Sequence, residues 1–269
     1  MRLRAITGFF FIIVMIASNL LGAYVFSAFY LLLASFCLFE FYKLVKEGGI
    51  KASRESGIIN GALLFAFFAA NCYFPAWRFI FFLPVSFSAI YIQELYKKTP
   101  APFSNIAFTF LGIMFAVVPF MFFHALAFIN GNGVFNFHIP LAFLIILWSN
   151  DTGAYLVGSK MGKTKLFERH SPKKTYEGLI GGIIISAVAA LILSRFYVEL
   201  SWKQWVTISI LISCFGTMGD LVESMFKRSI NVKDSGGILP GHGGLLDRFD
   251  GLLMAAPIVY AYLYFISNL

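Results

Sequence analysis

"AITGFFFIIVMIASNLLGAYVFSAFYLLLASFCLF", Ala5 to Phe39, carries no charged side chain from end to end. A helix needs about 20 apolar residues to cross a hydrocarbon core of roughly 30 Å. The run is too long for one crossing, and "SNLLG" at 18–22 supplies the break between two. That reading decides the fold class, because segments in lipid must satisfy their backbone polar groups internally, as helices do. Arg2 and Arg4 precede the run, as they would in a signal peptide. No clear small-x-small cleavage site follows before the chain turns apolar again, so a retained first span is expected.

The rest of the chain has the same character. Its 269 residues are 59% hydrophobic, with a mean hydropathy of +0.80. Only 13% are charged, against roughly 25% in soluble domains. A soluble core of this size would need far more polar surface. The pattern predicts an all-α, polytopic integral membrane protein with about nine transmembrane helices, near 5–20, 22–45, 57–73, 77–93, 104–129, 138–159, 176–197, 204–228 and 249–267. Cys37, Cys72 and Cys214 lie in or beside apolar runs without metal or redox spacing, and read as packed thiols.

Nine crossings place 18 of the 21 Lys and Arg residues on one side, leaving Arg78, Arg195 and Lys203 on the other. Basic residues mark the cytoplasmic side, so the N-terminus is expected in the cytoplasm. The net charge of +8 then faces anionic headgroups and nucleotides. The basic loops carry no nucleic-acid-binding pattern. Residues 1–135 read as a hydrophobic scaffold and 136–269 as the catalytic region, since nearly all polar chemistry falls between 148 and 251.

Four clusters carry that chemistry. In "WSNDTGAYLVGSKMGKTK" (148–165), Asp151 lies at the end of an apolar run, where a carboxylate is costly and a functional candidate, and Asn150 and Thr152 add oxygens at the same depth. An interhelical ion pair would also explain Asp151. In "SPKKTYEGLIGG" (171–182), Ser171 before Pro172 reads as a helix N-cap and first-turn proline. Lys173 and Lys174 would then sit in a first turn, beside a shared phosphate or as membrane anchors, with Glu177 able to pair with one of them. Gly178, Gly181 and Gly182 permit close helix packing.

In "GTMGDLVESMFKR" (216–228), Asp220, Glu223, Ser224 and Lys227 recur at spacings of three and four, on one helix face. Carboxylates there suit a hard divalent cation; a proton relay would leave the same pattern. In "KRSINVKDSGGILPGHGGLLDRFDG" (227–251), the glycines, Gly243 and Gly244 among them, let backbone N–H groups approach an anion. Asp247 and Asp250 flank Arg248 near a helix start and could complete a metal site with Asp220. His242 suits a solvated loop nearly as well as a working site.

"SMFKRSINVKDSGGILPGHGGLLDRFD", Ser224 to Asp250, resembles the signature of the phosphatidate cytidylyltransferases (CDP-diacylglycerol synthases) without a departure. "NDTGAY", "GK" and "SPKKTYEG" are similar to further family segments, so the resemblance covers about residues 148–257. It implies transfer of CMP from CTP to phosphatidic acid with Mg²⁺, and room for a second cation, in the cytoplasmic (inner) membrane with the site facing the cytoplasm. Homodimers occur in the family. On this reading Asp220 and Asp247 hold Mg²⁺, with Asp151, Glu223 or Asp250 assisting. Lys173, Lys174, Lys227, Arg228 and Lys233 share the phosphates. Arg248 orients the flanking acids, and Ser224, Gly243, Gly244 and His242 border the substrate. A CTP-dependent polyprenol or phytol kinase is the rival enzyme. A cation-coupled transporter would also place acids in the membrane, but has no use for the Gly-rich loop.

Overall fold

A computed structural model describes residues 2–74, 81–131, 133–169, 171–232 and 243–267, with side chains from Thr7 to Ile266. The helices are α1 (Arg2–Leu20), α2 (Ala23–Glu47), α3 (Arg54–Tyr73), α4 (Leu83–Tyr96), α5 (Pro102–Gly112), α6 (Val118–Leu126), α7 (His138–Met161), α8 (Tyr176–Leu193), α9 (Trp202–Ser229) and α10 (Leu246–Ser267). A π-helical turn, Ile113–Val117, joins α5 and α6 into one rod just before Pro119. Proline lacks the N–H that a regular turn would use.

The break in the opening run falls where "SNLLG" put it. Gly22 adopts φ 99°, a region that suits glycine, and reverses the chain between α1 and α2. Among the described residues, seven rods are long and apolar enough to span a bilayer: α2, α3, α5–α6, α7, α8, α9 and α10. α1 has 19 residues, of which Thr7–Leu20 form an apolar stretch, and α4 is shorter, with 14 residues. The chain is therefore an all-α polytopic membrane protein, with seven of the nine expected spans matched by full-length helices. The span expected near 77–93 begins later, at Leu83, and residues 75–80 lie outside the described residues.

Large apolar side chains such as Phe10, Leu32, Ile184 and Val188 point outward, as lipid requires, while polar ones turn inward. The scaffold core is aromatic: Phe26, Tyr30, Phe41, Phe65, Phe120 and Phe123 are fully buried. The C-terminal helices pack mainly as α7 on α8, α8 on α9 and α9 on α10. Lipid offers little hydrophobic drive for helix association, so small residues that let backbones approach carry much of this packing. Gly158 and Gly178 mark the α7–α8 crossing, where a Cβ on Gly178 would lie 3.3 Å from the Gly158 Cα.

One local expectation is overturned. Ser171 does not start a helix: Ser171–Thr175 is strand β2, paired antiparallel with β1, Lys165–Phe167. The N-cap of α8 is Thr175, whose Oγ1 accepts from the Gly178 N–H at 3.2 Å. Lys173 and Lys174 thus project from a hairpin. The residue before a proline favours extended backbone, and Ser171–Pro172 follows that preference.

Candidate active site

α9 supplies the centre of the site. Ser201 and Gln204 form a capping box at its start, and its far end carries the acids. Successive turns stack Asp220, Ser224 and Lys227 on one face, as the spacing predicts. Ser224 Oγ donates to Asp220 Oδ1 at 3.3 Å. Glu223, only 1% exposed, pairs with Lys227 Nζ at 2.7 Å.

α10 begins at Leu246, earlier than expected, so Asp247 and Arg248 fall in its first turn. α9 and α10 touch backbone to backbone at Gly216, Gly219 and Gly251. That close approach brings Asp250 to the α9 acids: carboxylate oxygens of Asp220, Glu223 and Asp250 lie within 4.8 Å of one another. Asp250 Oδ1 also accepts from the Gly251 N–H at 2.5 Å. Asp247 faces differently. Its Oδ1 takes Lys227 Nζ at 2.7 Å, and its Oδ2 accepts the Gly244 N–H at 3.2 Å. Gly243 has φ 81°, and a Cβ there would sit 2.9 Å from Asp247 Oδ2. Asp247 thus locks the end of the Gly-rich loop onto Lys227.

The hairpin closes the other side. Lys174 forms an ion pair with Asp220, and its Nζ reaches the Thr217 carbonyl at 3.5 Å. Asp151 on α7 lies within electrostatic range of Lys174, Asp220 and Arg248. A cavity of about 430 Å³ opens here between α7, α8 and the hairpin, and its lining mixes Asp151, Lys173 and Lys174 with Tyr155, Leu166 and Leu179. Glu177 pairs with neither lysine; its carboxylate accepts the Lys163 and Thr164 N–H groups at 3.1 Å and ties the hairpin to α8. Thr152 donates to the Trp148 carbonyl at 2.8 Å, and the Asn150 Oδ1 is turned toward Gly182. Arg228 and Arg248 are exposed. Lys233 and His242 lie outside the described residues.

The donor set of Asp220, Glu223 and Asp250 is all oxygen, as hard cations such as Mg²⁺ prefer. Glu223 Oε1 is buried and has no hydrogen-bond partner among the described residues. A buried carboxylate oxygen without a partner is costly, and a cation ligand role would satisfy it. The residues therefore fit a divalent ion, with Asp151 close behind.

One site residue escaped the sequence reading. Glu40 on α2, 1% exposed, accepts the Leu246 N–H of α10 at 2.8 Å across the whole length of the chain. Its signal was a lone acid at the end of an uncharged run.

Fold and site together define a polytopic membrane protein whose acids and lysines gather beside a partly apolar cavity. The family model described as "Cytidylyltransferase family" matches residues 2–266, so the chain belongs to that family. Its relatives include the phosphatidate cytidylyltransferases of Staphylococcus haemolyticus, 34% identical over 266 residues, and of Staphylococcus aureus, 36% identical over 264 residues. Each alignment covers 96% of this chain and 97% of the relative. The match spans the N-terminal half too, which the sequence motifs did not reach.

Proposed function

We propose that this chain transfers CMP from CTP to phosphatidate, forming CDP-diacylglycerol and pyrophosphate. The observation that carries the reading is the oxygen cluster of Asp220, Glu223 and Asp250, flanked by Lys174 and Lys227 beside a cavity lined by both polar and apolar side chains. Its apolar side chains suit a lipid, and its lysines suit phosphates. In the reaction a phosphate oxygen of phosphatidate attacks the α-phosphorus of CTP. That P–O bond forms as the bond to the β-phosphate breaks, and pyrophosphate leaves with the electron pair.

Asp220, Glu223 and Asp250 would hold Mg²⁺. The ion supplies charge neutralisation on the phosphates when bound. Lys173, on the cavity wall, is placed to hold a substrate phosphate. Lys227 pairs with both Glu223 and Asp247 and so holds the two acids beside one cation. Asp247 acts on the loop: by accepting the Gly244 N–H it sets where the loop backbone meets α10. Positioning and fixed charge account for most catalysis in phosphoryl and nucleotidyl transfer.

The positive-inside pattern supports a cytoplasmic N-terminus and a cytoplasmic site, with residues 1–135 as scaffold and 136–269 as catalytic region. Homodimerisation is tested by crosslinking in the membrane. For the activity, purified protein is incubated with CTP, Mg²⁺ and phosphatidate, and the products are resolved. CDP-diacylglycerol with pyrophosphate supports the reading. Phosphorylated lipid with CDP, from a polyprenol acceptor, would replace it with the kinase.

A further inference from the structure

The helix that carries Asp247, Arg248 and Asp250 has a leucine, Leu245, at its N-cap position. It starts after Leu245, whose carbonyl accepts the Arg248 N–H at 2.9 Å but whose apolar side chain cannot accept from the earlier first-turn N–H groups. The acceptor comes instead from α2, 206 residues away in sequence: Glu40 Oε2 takes the Leu246 N–H at 2.8 Å. A carboxylate is the favourable charge at a helix N-terminus.

Neighbouring contacts aim α2 at the same place. Phe41, next to Glu40, stacks on Phe226 of α9 with ring centroids 4.7 Å apart and planes within 6°. Phe249 on α10 is held by Phe120 at 5.3 Å and Phe11 at 5.8 Å. The scaffold therefore grips both acid-bearing helices, and Glu40 adds a polar contact to the α10 backbone. Glu40 touches none of Asp220, Glu223 or Asp250 among its hydrogen bonds, so its effect on chemistry runs through the placement of α10.

We infer that Glu40 is a positioning residue for the transfer reaction: by capping α10 from the scaffold, it sets the height and rotation at which Asp250 meets Asp220 and Glu223. The inference rests on the proposed transferase activity. A misplacement of about 1 Å at reacting groups can cost about 100-fold in rate.

The test compares Glu40→Leu, which removes the acceptor, with Glu40→Gln, which keeps a carbonyl oxygen for the Leu246 N–H. Steady-state CDP-diacylglycerol formation and hydrogen exchange are measured on both in detergent. Glu40→Leu is expected to lower kcat by about 100-fold with KM for CTP little changed, and to speed exchange in peptides from 245–250 while α8 peptides exchange as in wild type. Glu40→Gln restores both. A folded Glu40→Leu with wild-type kcat and wild-type exchange overturns the inference. So does faster exchange in all helices alike, which would make Glu40 a general stabiliser. If Glu40→Leu does not fold, Glu40→Asp replaces it. Its shorter side chain withdraws from the amide, so it should lose kcat while Glu40→Gln keeps it, and equal rates in the two overturn the inference. Wild-type protein that makes no CDP-diacylglycerol would remove the transferase reading instead, and the exchange comparison would still report on the cap.

Discussion

Replacing Gly219 by alanine should cripple the enzyme while replacing Gly216, one turn earlier on the same helix, should not. At Gly219 an added Cβ would overlap the Asp250 carbonyl oxygen and lie 3.1 Å from its carbonyl carbon and 3.4 Å from the Gly251 Cα. Carbon atoms rest at about 3.5–4.0 Å, so α10 would have to back away by about 1 Å. These are backbone atoms of a helix and cannot swing aside. The shift acts on Asp250 itself, whose carboxylate must stay within 4.8 Å of Asp220 and Glu223. A displacement of that size is expected to lower kcat about 100-fold, roughly 2.7 kcal/mol of transition-state stabilisation. Stability should change far less. Overpacking costs roughly 1–3 kcal/mol, and alanine's better helix propensity returns about 1 kcal/mol. At Gly216 the nearest atom is the Leu147 Cδ1 at 3.1 Å, the tip of a flexible side chain, with Gly251 atoms at 3.8 Å. Gly216→Ala should therefore stay within about threefold of wild type, since a rotamer change absorbs the contact. The assay is CDP-diacylglycerol formation in mixed micelles, with thermal unfolding followed in parallel. Gly219→Ala at wild-type kcat, or Gly216→Ala falling as far as Gly219→Ala, refutes the claim that the α9–α10 contact sets the acid cluster.

Three further outcomes are expected. Lys227→Met leaves Glu223 and Asp247 without their shared partner and should destabilise the protein by about 3–5 kcal/mol; adding Glu223→Gln should recover part of the unfolding midpoint but not activity, and full recovery of activity would make Lys227 purely structural. Asp250→Asn and Asp220→Asn should each raise the Mg²⁺ concentration for half-maximal rate by about tenfold or more, and an unchanged Mg²⁺ titration would move the ion elsewhere. At the α8–α9 loop, burial favours protonation of Glu199, but hydrogen bonds from Asn136 and His138 outweigh it and hold the carboxyl below its usual 4.5. A depressed carboxylate stabilises the fold above its unfolded pKa, and that stability disappears as pH falls through the folded value. The wild-type unfolding midpoint should thus drop more steeply below pH 4.5 than that of Glu199→Gln; parallel curves would show that Glu199 contributes nothing.

Much of the site could be read from the chain because its rules are local. The face shared by Asp220, Glu223, Ser224 and Lys227 follows from helical period alone, and the α1–α2 break from a glycine between two uncharged runs. Asp247 and Asp250 show the limit of that logic. Their spacing of three puts both near the start of α10, yet one meets Lys227 and the Gly244 N–H while the other meets the α9 acids. Which neighbour each acid meets depends on how α10 crosses α9, and that crossing is tightest where Gly219 meets the Asp250 and Gly251 backbone. Ser171–Pro172 misled for a different reason. A serine before proline satisfies the helix-start signature and the extended preference equally well, and the pairing of Lys165 with Thr175 decided between them.

Glu40 was the hardest to see, and it changes what the N-terminal half is for. As sequence, residues 1–135 offer only hydrophobicity, so they read as packing material around a C-terminal machine. In the folded chain Glu40 supplies the hydrogen bond that the start of α10 cannot provide for itself, and Phe41 and Phe120 brace rings on α9 and α10. Bringing several carboxylates together opposes Coulomb repulsion, which grows as water is excluded. Lys174 and Lys227 answer part of that repulsion directly. The rest must be resisted by helices that cannot slide apart, and in lipid such rigidity comes from close packing and the occasional buried hydrogen bond. The scaffold supplies both at the back of the acid cluster, so the boundary near residue 135 divides the chain by composition more than by mechanics.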